Sequence, residues 1–234
     1  VDNSSAGVVR TGRAAHLSGA MASVGTFTFS GPAGRLEGTY RPADEPLGAA
    51  VVCHPLPTHG GTMHNKVVFR IAKAFERAGY AVLRFNFRGV GLSHGSFEGG
   101  VGEADDVRAA LDWLADQNPD VPLGVAGFSF GTVVGLPVGA ADDRVTRLVG
   151  VGIPVDRFPF DRHAGVVKPK LFVQGTRDEF GPIERLRAAL ARVGEPWDLV
   201  AVEGADHFFA GRLPELERAI VDWLSAAARS SPPV

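Results

Sequence analysis

A serine framed by two glycines, Gly127-Phe128-Ser129-Phe130-Gly131, lies between two runs of different character. Before it, Pro122–Ala126 is short and apolar, the mark of a buried strand. After it, Thr132–Leu136 reads as the start of a helix. A strand that turns straight into a helix must do so through a sharp, strained bend. That bend thrusts the Ser129 hydroxyl out above the strand end, as in a nucleophile elbow. Gly127 and Gly131 suit it because a Cβ at either place would clash where strand and helix cross.

The surrounding chain repeats the same alternation. Ala49–Cys53, Tyr80–Phe85, Arg147–Ile153, Lys170–Gln174 and Trp197–Val202 are strand-like, and most are apolar enough to be buried on both faces. Between them, Asn65–Ala78, Glu103–Ala115 and Ile183–Val193 carry apolar residues at helical spacing, and Leu213–Ala228 closes the chain. Strands alternating with helices predict a mostly parallel, twisted sheet covered by helices on both faces. Thr26–Phe29 and Arg35–Tyr40 alternate polar and apolar residues around Gly31-Pro32, so an antiparallel hairpin should edge that sheet. Gly135 and Pro137 fall inside the helix after Ser129 and predict a kink or an early end.

At 234 residues the chain fits one domain, and no linker divides it. The expected organisation is a flexible extension over 1–24, one domain over 25–228 and a tail over 229–234. A net charge of −2 gives no case for nucleic acid or an anionic membrane surface, and no apolar run is long enough to span a membrane. One cysteine, Cys53, permits no internal disulfide. With no signal-like segment at the start, a cytoplasmic location is expected. Cys53 ends a buried strand and reads as packing.

A serine hydroxyl needs a base, and the base needs a carboxylate to hold its tautomer. In this architecture the chain order is serine, acid, histidine, with each on a loop at the carboxyl end of a strand. Of seven histidines, His207 alone follows the last strand. Asp178, just past the Lys170–Gln174 strand, is the acid chosen, with Glu179 the first alternative. Asp206 is read as a turn residue, and Asp156 and Asp161 as weaker choices. The oxyanion donors should be the N–H groups of Phe130 and of Leu56, since Pro55 and Pro57 beside Leu56 have none. His54, His59 and His64 are too widely spaced in a loop to suggest a metal. Arg88 and Glu103 are read as loop braces. The segment Pro154–Lys168 is too short for a helical lid. Phe158 and Phe160 within it, with Phe208, are the expected pocket wall.

Four blocks together resemble a known group: His54–Val68, Arg84–Ser93, Gly127–Gly131 and Asp206–Leu213. They are similar to small bacterial α/β-hydrolases related to dienelactone hydrolases, over about residues 25 to 226. The resemblance implies the α/β-hydrolase fold with little or no lid, a triad of Ser129, Asp178 and His207, and no cofactor. Dienelactone hydrolases carry a cysteine where this chain has Ser129. The expected activity is hydrolysis of small or short-chain carboxylic esters, with a small-molecule ester as the partner. Acyl transfer or thioester cleavage by the same triad, and a ligand-binding module with vestigial activity, are the alternatives.

Overall fold

Eight strands form one sheet in the order β1-β2-β4-β3-β5-β6-β7-β8 in the computed structural model, which describes residues 25–158 and 166–229. The hairpin of β1 (Phe27–Gly31) and β2 (Gly34–Arg41) is antiparallel and edges the sheet, as its alternation predicts. Beyond it, β3 (Gly48–Cys53), β4 (Tyr80–Phe85), β5 (Leu123–Phe128), β6 (Val145–Val151), β7 (Lys170–Gly175) and β8 (Trp197–Val202) run parallel. Among the described residues four α-helices connect strands, α1 (Lys66–Arg77), α2 (Val101–Gln117), α3 (Phe130–Ala141) and α4 (Ile183–Leu190), and α5 (Leu213–Arg229) follows β8.

Each face of the sheet has its own core. Ala49, Val51, Leu83, Phe85, Val125 and Phe172 pack with buried residues of α2, α3 and α4. Alternate residues of the same strands, Ala50, Val52, Val82, Ala126 and Val173, pack with α1 and α5. This is why the central strands read as continuous apolar runs: both faces of the pleat are covered. Fully burying a side chain of that size stabilises by about 1.5–3 kcal/mol relative to exposure.

Helix boundaries follow local capping. Asn65 accepts from the N–H groups of Val67 and Val68 and starts α1. Glu103 accepts from the N–H groups of Gly100 and Glu98, so α2 begins at Val101 rather than at Glu103. The early end expected of α3 does not occur, since the helix continues past Pro137 to Ala141. α4 is shorter than expected, ending at Leu190, with a turn through Val193. Among the described residues, no helix is long and apolar enough to cross a membrane. The extension over 1–24 and Phe160 lie outside the described residues.

The topology places the loops. The connection after β3 leads to β4 on one side, and the connection after β5 leads to β6 on the other. Such a switch point opens a crevice at the carboxyl ends of the strands. Cys53 pairs with Gly127 across β3 and β5, so the loop after β3 lies against the turn that carries Ser129. Gly175 pairs with Val202 across β7 and β8, which brings the Asp178 and His207 loops together.

Candidate active site

Ser129 sits between β5 and α3 with φ 53° and ψ −121°, one of two non-glycine residues at positive φ among those described. Such a conformation is costly for a residue with a Cβ and persists only where the surroundings fix it. They do so here. Ser129 N–H donates to the Val151 carbonyl at 3.0 Å, and the Ser129 carbonyl accepts from Thr132. The flanking glycines allow the close crossing. A Cβ on Gly127 would lie 2.3 Å from the Gly131 oxygen, and one on Gly131 would lie 2.4 Å from the Cys53 oxygen.

Three side chains from three loops converge. His207 Nε2 is 3.0 Å from Ser129 Oγ, and His207 Nδ1 is 2.8 Å from Asp178 Oδ2. A carboxylate facing Nδ1 accepts its proton, which leaves Nε2 as the acceptor for the serine hydroxyl. Asp178 and His207 are both buried. The structure therefore joins the three residues expected from the sequence. Glu179 takes no part in this contact. Asp206 accepts from the Phe208 and Ala210 N–H groups and so acts as a turn residue.

The carboxylate of Asp178 is itself held from four directions. Its Oδ1 accepts from the N–H groups of Phe180 and Gly181, and its Oδ2 accepts from Gln174 Nε2 and faces His207. Gln174 also donates to the Gly181 carbonyl and accepts from the Ile153 N–H. It thus ties the ends of β6 and β7 to the carboxylate. The sequence reading gave Gln174 no role. Its signal was a lone amide at the end of an apolar strand, a place that requires buried partners.

The loop after β3 faces Ser129. Leu56 and Phe130 both line the cavity at the serine. Phe130 is the first residue of α3, so its N–H has no acceptor within the helix. The Leu56 carbonyl is engaged by the His59 and Gly61 N–H groups, closing a short 3₁₀ turn over Pro57–His59. His54 supports this loop from below and is fully buried. Its Nδ1–H donates to the Pro55 carbonyl at 2.6 Å, and its Nε2 accepts from the Phe87 N–H at 3.0 Å. Burial pushes its pKa down to about 4, so the ring is neutral at pH 7. The Pro55 carbonyl and the Leu56 N–H belong to one planar peptide and point in opposite directions. Pinning the carbonyl onto His54 fixes the direction of that N–H.

The motif Arg84–Ser93 braces the same loop. Asn86 Oδ1 accepts from the Met63 N–H, while Arg84 donates to the Met63 carbonyl. Arg88 makes a forked contact with buried Asp106 and reaches Glu98, and these carboxylates raise its pKa above the ordinary value. The expected bracing roles of Arg88 and Glu103 are what the contacts show. Cys53 is buried, and burial pushes its thiol pKa up, which disfavours a thiolate.

The cavity at Ser129 has a volume of about 440 Å³. Phe130, Phe158, Phe180 and Phe208 supply much of its wall, and Arg157 stands over the Phe180 ring at 5.5 Å. Phe158 and Phe208 thus lie where the sequence reading put them. Phe180 was missed as a wall residue. It packs 4.7 Å from the His207 ring.

Comparison with known proteins gives this arrangement a family. Residues 51–189 match the family model described as the alpha/beta hydrolase fold. The chain belongs to the α/β-hydrolase family. An uncharacterised protein of Rickettsia prowazekii is 36% identical over 206 residues, covering 84% of this chain and 87% of the relative. An alpha-beta serine hydrolase homologue from Coxiella burnetii superposes with a TM-score of 0.81 at 38% identity, over 88% of this chain and all of that one. A lidless serine hydrolase of the α/β type from Xanthomonas campestris gives 0.80 at 36% identity, over 89% and 96% of the two chains. For this α/β-hydrolase, the short segment after β6 is in keeping with such a lidless relative.

Proposed function

We propose that the protein is a serine esterase that cleaves carboxylic esters of small or short-chain acyl groups through an acyl-enzyme on Ser129. The observation that carries this reading is the continuous hydrogen-bonded line from Ser129 Oγ through His207 to buried Asp178 at the floor of an apolar cavity. Ser129 Oγ attacks the ester carbonyl as His207 Nε2 takes its proton. Asp178 holds the ring and stabilises the imidazolium. The Leu56 and Phe130 amides take the developing negative charge on the carbonyl oxygen. His207 then protonates the leaving alcohol, and water attacks the acyl-enzyme by the same route in reverse.

Burial sharpens each part. Asp178 and His207 are buried, and there fixed dipoles act more strongly than in bulk solvent. No cofactor enters this scheme. The resemblance to dienelactone hydrolases supports the place of the nucleophile, while a serine where they carry a cysteine argues against dienelactones as the substrate. The single cysteine, with which no internal disulfide can form, is what supports a reducing, cytoplasmic setting.

The test is turnover of a p-nitrophenyl ester ladder from acetate to octanoate. The expected result is a kcat/KM that peaks at acetate or butyrate. A peak at octanoate would overturn the short-chain assignment, and no turnover along the ladder would overturn ester hydrolysis. Adding an acceptor alcohol and assaying for a new ester separates transfer from hydrolysis.

A further inference from the structure

Phe130 and Phe158 do more than line the cavity at Ser129. The same two residues line a second cavity of about 230 Å³ in the groove between α2 and α3. Their rings, with centroids 5.9 Å apart and planes at 59°, stand between the two spaces. The two halves of this partition are held differently. Phe130 is only 1% exposed, is fixed to the Ser129 turn by its backbone, and is packed edge-on by Phe87 and beside Phe97. Phe158 is half-buried and rests against the Phe130 ring, with its N–H donated to the Pro154 carbonyl.

We propose that Phe158 is the residue that limits acyl-chain length, closing the acyl site off from the α2–α3 groove, and that this groove is the seat for the tail of a medium-length saturated acyl chain once the ring is out of the way. This rests on the ester-hydrolysis reading of the Ser129 site. The chemistry of the groove fits a hydrocarbon tail. Ala104, Val133, Val134, Pro137 and Val138 supply its apolar half; the polar half includes Gly99, Gly100 and the exposed Arg108, which is already paired with Asp105. The tail would gain burial there without stranding a charge, at the rate burial of methylenes allows. With the ring in place, a chain running from Ser129 past Phe130 meets an aromatic wall.

The experiment compares kcat/KM for p-nitrophenyl butyrate and octanoate in wild type, Phe158→Ala and the double variant Phe158→Ala/Ala104→Trp. The ratio of the two substrates does not depend on the fraction of protein folded. Ala104 is half-buried on α2 and lines the groove, so an indole there takes up space that the tail would need. The expected result is an octanoate-to-butyrate ratio raised about tenfold in Phe158→Ala, which is what burying two further methylenes supplies, and returned toward the wild-type value in the double variant. An unchanged ratio would overturn the proposal. So would a raised ratio that Ala104→Trp leaves raised, since the tail would then lie elsewhere. Calorimetric titration with free butyrate and free octanoate reads the same groove without chemistry. If no ester turned over, the esterase reading would fall, while tighter octanoate binding in Phe158→Ala, abolished by Ala104→Trp, would still support the groove and its absence would sink it.

Discussion

The two walls of the Ser129 cavity are built on opposite plans. The wall after β3 is held by buried polar contacts: His54 to the Pro55 carbonyl and the Phe87 N–H, Asn86 and Arg84 to Met63. The wall after β6, β7 and β8 presents the side chains of Arg157, Phe158, Phe180 and Phe208, which meet their neighbours ring against ring or cation against ring. Hydrogen bonds fix direction to within tens of degrees, while ring packing fixes volume and tolerates repacking. In the proposed mechanism the first wall faces the oxygen where charge develops, and there a small misdirection is costly. The second faces the substituent, where only shape matters.

If that contrast is right, damage to the polar half should cost far more activity than damage to the aromatic half. The largest effect belongs to the relay that both walls flank: Asp178→Asn keeps the size of the side chain but favours the wrong His207 tautomer. Ester kcat should fall about 10⁴-fold with little change in the thermal midpoint. A fall of less than tenfold would show that the Asp178 contact is structural only.

His54→Leu comes next. It removes the ring that orients the Leu56 amide, and kcat should fall about 10²-fold, with KM for butyrate esters changed little. A change in KM with kcat intact would place His54 in substrate binding instead. The same residue gives a pH signature. An unfolded histidine takes its proton near pH 6.5, whereas folded His54 does so only at about 4. Between those values the unfolded chain binds the extra proton. The contribution of neutral His54 is therefore complete above about pH 6.5 and is lost as pH falls through 4, a loss of up to roughly 3 kcal/mol. Urea titrations from pH 7 to 4 should show this slope in wild type and a shallower one in His54→Leu. Equal slopes would contradict it.

The smallest effect should come from the aromatic half. Phe208 is 53% exposed and touches the His207 ring edge-on with centroids 5.3 Å apart. Phe208→Ala should lower kcat/KM for butyrate esters by less than about tenfold, since it removes contact area and no hydrogen bond. A loss near that of His54→Leu would break the contrast between the walls.

Much of this was legible in the sequence for a topological reason. Serine, acid and histidine are each fixed by a strand end, and strand ends are visible as the edges of apolar runs. What stayed hidden depended on partners distant in sequence. Gln174 and His54 look like an ordinary amide and an ordinary loop histidine until β6 and the Phe87 turn are folded against them. The helix α3 misled for a different reason. Gly135, Pro137 and Gly139 have poor helix propensity, yet α3 is pressed so closely on the sheet that a Cβ on Gly135 would lie 2.9 Å from Cys53 Sγ, and one on Gly139 2.8 Å from the Val125 side chain. Tertiary packing there selects small residues and overrides local preference. Phe160, expected in the pocket wall, falls outside the described residues.

The central claim is that Ser129 becomes covalently acylated. Rapid mixing of wild type and Ser129→Ala with p-nitrophenyl butyrate tests it most directly. The account predicts a burst approaching one p-nitrophenolate per wild-type chain, a matching acyl adduct on Ser129 by mass spectrometry, and neither burst nor turnover in Ser129→Ala beyond a residual about 10⁶-fold below wild type. Steady turnover surviving in Ser129→Ala, or hydrolysis by wild type with no adduct at Ser129 under any quench, would contradict it.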